Sequence, residues 1–184
     1  MSSVYKKNLA VFDLDGTLIQ GDSFQNLIKK TILTKPKILF FVLQRILFKI
    51  DRSVFAEKIH FELVKHLACK KNLNSINLKL KKKIIPERCS KVEYYRNNGV
   101  IVVLLSASPN EYVSSFAKNL SMDYGFGSTW RNDKYFHFYG QNKLDFLNET
   151  FPREKWNRVY AMSDSSSDLK MLKTFHAFEL VNKK

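Results

Sequence analysis

Cysteine, glycine and proline are all scarce in this chain of 184 residues, at two, six and four. Two scattered cysteines, Cys69 and Cys89, build no disulfide framework and sit in no zinc-ligand spacing, so a reducing cytoplasm is the expected location. The low glycine and proline content, with no repeat and no low-complexity tract, excludes fibrous, linker-rich and solenoid architectures. Long hydrophobic runs are missing as well. The most apolar stretch, residues 38–50, is too short to span a bilayer and carries Gln44 and Arg45. It fits a buried or an interfacial helix, and no stable membrane insertion is expected. No long apolar run follows Lys6 and Lys7, so no signal peptide is expected. Acids are outnumbered, 17 Asp and Glu against 31 Lys and Arg, for a net charge of +14. That balance suits anionic partners, but it also describes a lysine-rich solvated surface. No motif of nucleic-acid-binding spacing occurs, and no nucleic-acid partner is expected.

The chain is 45% hydrophobic, enough for one domain with a modest insertion. Residues 9–14 read as a buried strand ending in Asp13, Asp15 and Gly16. Residues 23–85 change to helical periodicity, with helices expected over 23–33, 37–49, 52–69 and 75–84. Breaks are expected at Pro36, at 51–53 and at 72–74. A further helix over 87–96 ends at Asn98-Gly99, and residues 100–105 form a continuous apolar run of the kind buried on both sheet faces. Ser108-Pro109-Asn110-Glu111 reads as a capping box that starts a helix. Residues 124–139 read as a β-hairpin or an irregular strand pair around Asn132-Asp133-Lys134. Short strands at 158–162 and 177–181, and helices at 144–150 and 169–174, complete the pattern. Strands alternating with helices predict an α/β fold with a mostly parallel sheet, whose site lies beyond the carboxyl ends of the strands.

Four separated segments carry side chains suited to chemistry: Asp13-Leu14-Asp15-Gly16-Thr17; Ser106 after an apolar strand; Lys143; and Asp164 to Asp168. In this order and spacing the chain resembles the haloacid dehalogenase (HAD) superfamily, in its phosphoserine-phosphatase-like branch. The resemblance implies a Rossmann-like three-layer core over residues 1–22 and 86–184, with a helical cap inserted at 23–85. It implies a Mg²⁺-dependent phosphatase acting on a small phosphorylated metabolite. Asp13 is then the nucleophile, forming an aspartyl-phosphate, and Asp15 the general acid and base. Ser106, the backbone N–H of Ala107 and Lys143 bind the phosphoryl group. Asp13, the Asp15 carbonyl and Asp164 hold the metal, and Asp168 supports them from behind. A free aspartic acid has a pKa of about 3.9, so Asp15 needs an environment that raises it.

Some assignments stay open. Lys134 lies near Lys143, and Asp22 is either a substrate contact or the N-cap of a helix. The family usually has glycine where Ser163 stands, so crowding is expected there. The chain stops soon after its last strand, as a minimal or truncated version would. All four histidines read as structural or surface residues. The substrate is phosphoserine or a phosphorylated sugar, amino alcohol or polyol. Alternatives are a nucleotide or nucleic-acid-end phosphatase, a lipid-phosphate phosphatase at a membrane surface, and a non-catalytic binding module. Monomer and homodimer are equally compatible with the sequence.

Overall fold

Apolar strands with both faces buried dictate the layering. In β1 (Lys7–Phe12), Leu9 and Val11 enter one buried cluster while Ala10 and Phe12 enter another. In β2 (Ile101–Pro109), Val103 and Leu105 join the first cluster, and Val102 and Leu104 the second. A sheet apolar on both faces must be covered twice, which makes it the middle of three layers. The structure, a computed structural model, describes residues 6–182.

Six strands form one sheet. Its edge is β4 (Lys134–Phe136), then β3 (Tyr124–Arg131), β2, β1, β5 (Trp156–Ser163) and β6 (Ala177–Leu180). All neighbours are parallel except β3 and β4. Because β1 lies between β2 and β5, residues following those three strands meet at one rim. The Asp13 N–H donates to the Met162 carbonyl at 2.9 Å, tying the end of β1 to β5.

Four consecutive helices follow β1: α1 (Ser23–Thr31), α2 (Pro36–Phe48), α3 (Arg52–Ala68) and α4 (Lys70–Lys81). Next come α5 (Pro86–Asn97) and α6 (Asn110–Asn119). Leu27, Ile59, Leu63 and Leu80 of this helical block share a buried cluster with Phe12 and Leu104 of the sheet. On the other face lie α7 (Gln141–Thr150) and the short α8 (Leu169–Leu172).

Two local expectations are corrected, and a third, the hairpin, is met and extended. The break expected at 72–74 falls at Cys69 instead. Asn72 lies within α4, and its side-chain amide donates to the His66 carbonyl at 3.0 Å, satisfying the end of α3. The capping box does not form: Ser108 lies within β2, and α6 starts two residues later without a side-chain cap. Glu111, the other half of that box, pairs with His60 Nε2 on α3 at 2.8 Å. The turn at Asn132 and Asp133 takes positive φ at both residues, 46° and 60°, as a tight hairpin requires, but β3 also pairs in parallel with β2.

Two features hold the rim in shape. Buried Arg88 donates to the carbonyls of Gly16 (2.6 Å), Thr17 (3.0 Å) and Asn182 (2.8 Å), pinning the loop after Asp15. Gly127 of β3 lies against backbone: a Cβ there would come within 2.5 Å of the Ser108 carbonyl and 2.7 Å of the Asn110 Cα. Gly127→Ala is therefore expected to destabilise the fold by about 1–3 kcal/mol through overpacking. The measurement is the midpoint of urea unfolding. An unchanged midpoint would show that this contact yields freely.

Candidate active site

Asp13 is buried at the sheet rim. Its Oδ1 accepts a hydrogen bond from Lys143 Nζ at 2.8 Å, and its Oδ2 lies 3.3 Å from the Thr17 hydroxyl. Lys143 is in the first turn of α7, which begins after Gly140 with a positive φ of 55°. Its ammonium also donates to Asp168 Oδ2 at 2.7 Å. Burial disfavours that ammonium, but the carboxylates of Asp13 and Asp168 outweigh it and push its pKa above the usual lysine range. Burial also pushes the Asp13 carboxyl up to about 7, against the pull of Lys143.

Asp15 is held by a separate set of donors. The Ser23 N–H, in the first turn of α1, donates to Oδ1 at 2.6 Å, and the Ser108 hydroxyl donates to Oδ2 at 2.6 Å. The Ser23 hydroxyl contacts Tyr112 Oη at 3.0 Å and Ser108 Oγ at 3.3 Å. Burial, and then the nearby Asp22 carboxylate, raise the Asp15 carboxyl to about 6. The two aspartates are thus two residues apart in sequence but held by independent partners.

Asp164 joins Asp13 through Thr17. The Thr17 hydroxyl accepts from the Asp164 N–H at 2.9 Å and lies 3.5 Å from Asp164 Oδ1. Ser163 causes no crowding. It is fully buried, its hydroxyl donates to Asp168 Oδ2 at 2.8 Å, and it accepts from the Ser165 N–H at 3.2 Å. The Ser106 hydroxyl oxygen accepts the Ser108 N–H at 3.2 Å, a bond that leaves its own hydrogen uncommitted.

A cavity of about 550 Å³ lies at this rim. Asp13, Asp15, Asp22, Ser106, Ala107, Lys143, Asp164 and Asp168 line it, so the structure brings every candidate side chain to one place. Asp22 both faces the cavity and caps α1, accepting the Gln25 N–H at 2.8 Å. Lys134 lies in edge strand β4 and does not line the cavity.

Sequence reasoning missed several wall residues. Ser108 reads as a helix cap, although alternation along a strand would place it on the same side as Ser106. His137, read as structural, also lines the cavity, with its Nδ1 2.8 Å from the Ser53 hydroxyl. Burial, and then Arg52, lower its pKa to about 4, keeping the ring neutral. Tyr139 stacks on His137 and carries the Arg52 guanidinium 4.2 Å above its ring. Arg52 and Arg45, from α3 and α2, complete this wall.

Among the described residues, no group of three or more His, Cys, Asp or Glu side chains is arranged to hold a metal. Asp13 and Asp164 nevertheless converge on one hydroxyl, which makes the donor set purely oxygen. Such a set fits a hard cation of the Mg²⁺ kind, with main chain, water or substrate supplying the remaining oxygens.

A parallel α/β core with carboxylates and a buried lysine at the strand ends is the arrangement of a hydrolase built on a Rossmann-like sheet. Residues 10–173 match the family model described as haloacid dehalogenase-like hydrolase, and the chain belongs to that family. No curated protein matches it by sequence. Solved structures share its fold. A protein of unknown function from Bordetella pertussis Tohama I superposes with a TM-score of 0.68 at 13% identity, over 96% of this chain and 100% of that one. A phospho-aspartyl intermediate analogue of phosphoserine phosphatase gives 0.61 at 15%, covering 97% and 96% of the two chains. A substrate-bound phosphoserine phosphatase gives 0.63 at 17%, covering 95% and 85%.

Lys143→Met would leave Asp13 and Asp168 buried without their cation, and a loss of about 3–5 kcal/mol is expected at neutral pH. The deficit should narrow as pH falls from about 7 towards about 4. A carboxyl whose folded pKa is raised binds more protons folded than unfolded, so it favours the native state at lower pH. Urea titrations of the variant and the parent across that range test both statements.

Proposed function

We propose that the protein is a Mg²⁺-dependent phosphatase that hydrolyses a small phosphate monoester through an aspartyl-phosphate on Asp13. The supporting observation is the pair of differently held aspartates on one cavity. Asp13 is tethered to Lys143, and Asp15 is held by Ser23 and Ser108 with its carboxyl raised to about 6.

Asp13 attacks phosphorus, and the bond from phosphorus to the ester oxygen breaks as the new acyl-phosphate bond forms. Asp15 gives its proton to the departing alkoxide, and its raised pKa keeps that proton available nearer neutrality. Asp15 then takes a proton from water, which attacks the acyl-phosphate, freeing inorganic phosphate and restoring Asp13. The Ser106 hydroxyl, the Ala107 N–H and Lys143 steady the phosphoryl oxygens. Mg²⁺, held by Asp13, Asp164 and the Asp15 carbonyl, would neutralise charge on the phosphoryl group. Asp168 and Ser163 fix the Lys143 ammonium.

Arg45, Arg52, His137 and Tyr139 also line the cavity. Such a wall favours a leaving group with hydroxyls or a second anionic group. Phosphoserine and the phosphates of sugars, amino alcohols and polyols all remain in that class, and Asp22 is a candidate contact for an amino group.

The test is phosphate release from a panel of such esters. Turnover is expected with Mg²⁺, none with excess EDTA, and recovery when Mg²⁺ is restored. Asp13→Asn should show no turnover. Asp15→Asn should still bind substrate while kcat falls by about 10²–10⁴-fold. Full activity in Asp13→Asn would rule out the covalent route.

A further inference from the structure

The outward side of α2 has no partner within the fold. Leu39, Phe40, Leu43, Ile46, Leu47 and Phe48 are 45%, 56%, 46%, 66%, 69% and 74% exposed. At this spacing they form one continuous stripe along the helix. Ile38, Phe41 and Val42 turn the other way, into the core, and Arg45 turns to the cavity wall. Leu33, in the turn before α2, is 92% exposed as well. A contiguous apolar patch of this kind marks an interaction surface rather than ordinary solvent-facing side chains.

The surrounding charge identifies the partner. Between Asp22 and Asp51 the chain has no acidic residue, but it has Lys29, Lys30, Lys35, Lys37, Arg45 and Lys49. Of these, Arg45 turns to the cavity wall, Lys30 lines a separate cavity and Lys37 pairs with Glu62 at 3.5 Å, so Lys35 and Lys49, at the two ends of α2, are the cations that a second copy docking through the same face would set against each other. An anionic lipid surface instead accepts apolar side chains and cations together. The thirteen residues of α2 give a helix about 20 Å long, short of the roughly 30 Å hydrocarbon core. Among the described residues, no helix is long and apolar enough to cross a membrane. The length and the one-sided exposure both match a helix lying in the interface.

We propose that α2 is a peripheral docking element that lies flat on an anionic bilayer, with its stripe from Leu39 to Phe48 among the acyl chains and its lysines at the headgroups. Because Arg45 belongs to both α2 and the cavity wall, docking places the cavity beside the lipid headgroups. This inference does not depend on the phosphatase reading, since binding to vesicles is measured without turnover.

The test is flotation of the full chain with vesicles of phosphatidylcholine alone and of phosphatidylcholine mixed with phosphatidylglycerol. Binding is expected to the mixed vesicles, weakening as salt rises. Leu47→Ser combined with Phe48→Ser should weaken it by more than about tenfold, since each side chain loses the gain of leaving water. Lys35→Gln combined with Lys49→Asn should weaken binding to the mixed vesicles on the order of tenfold and leave the neutral ones unaffected. Asparagine suits position 49, where φ is 48°. Both double variants should keep the parent's melting temperature and its hydrolysis of a small water-soluble phosphate ester. The proposal is overturned by failure to float with the mixed vesicles, or by equal flotation with the neutral ones. A lipid-free dimer that Leu47→Ser with Phe48→Ser splits would also overturn it, assigning the face to a second copy.

Discussion

The Lys143 ammonium, buried between the carboxylates of Asp13 and Asp168, is the interaction on which the rest of the site depends. A buried cation is costly unless paired, and here both partners lie at hydrogen-bond distance. The two carboxylates against one ammonium leave a net negative charge, which the Ser163 and Thr17 hydroxyls help to bind. This charge cluster draws together three distant segments: the end of β1, the first turn of α7 and the loop after β5. None of the three is positioned by local propensity alone. Their convergence follows from the strand order, which sets β1 between β2 and β5.

Much of this was legible in the sequence, for a physical reason. Continuous apolar runs are characteristic of strands covered on both faces, so β1 and β2 could be read directly. Acids placed immediately after such runs had to emerge at the rim. Asp13, Asp15 and Asp164 could be named on that ground, Asp168 and Lys143 only through the family resemblance, and the structure gathers all five around one cavity. What stayed hidden was decided at long range. The segment Ser108-Pro109-Asn110-Glu111 has the local signature of a helix cap, yet Gly127 lets β3 approach closely enough for β2 to continue past it. Ser108 then becomes a partner of Asp15, and Glu111 meets His60 from a different helix. Arg88 and His137 were invisible for a related reason. A lone arginine or histidine has no periodicity, and only the folded chain shows which carbonyls or which cavity it faces.

Ser163 shows how a departure from a family pattern can be absorbed. A side chain where glycine is usual would crowd a loop if it had nowhere to go. Here the hydroxyl fills a polar gap between the Asp168 carboxylate and the Ser165 N–H. Ser165, Ser166 and Ser167 line the cavity next to it, so the loop is rich in hydroxyls without adding charge.

The bond from the Ser23 N–H to Asp15 joins two parts of the molecule that differ in origin: a carboxylate fixed to the sheet and the first amide of the helical block. Residues 16–22 link the two, with Gly16 at φ 70° and Gly21 at φ 76°, and this strap pairs with the returning segment through Ile19 and Ile84. The block is tied to the rest of the fold at further points, the Ser23 hydroxyl to Ser108 and Tyr112, Ser53 to His137 and His60 to Glu111, while the ties of Asp13 run to Lys143 and to Thr17 within the strap itself. Asp15 is thus held in part by the helical block itself, so the placement of that block bears on its carboxyl more directly than on that of Asp13.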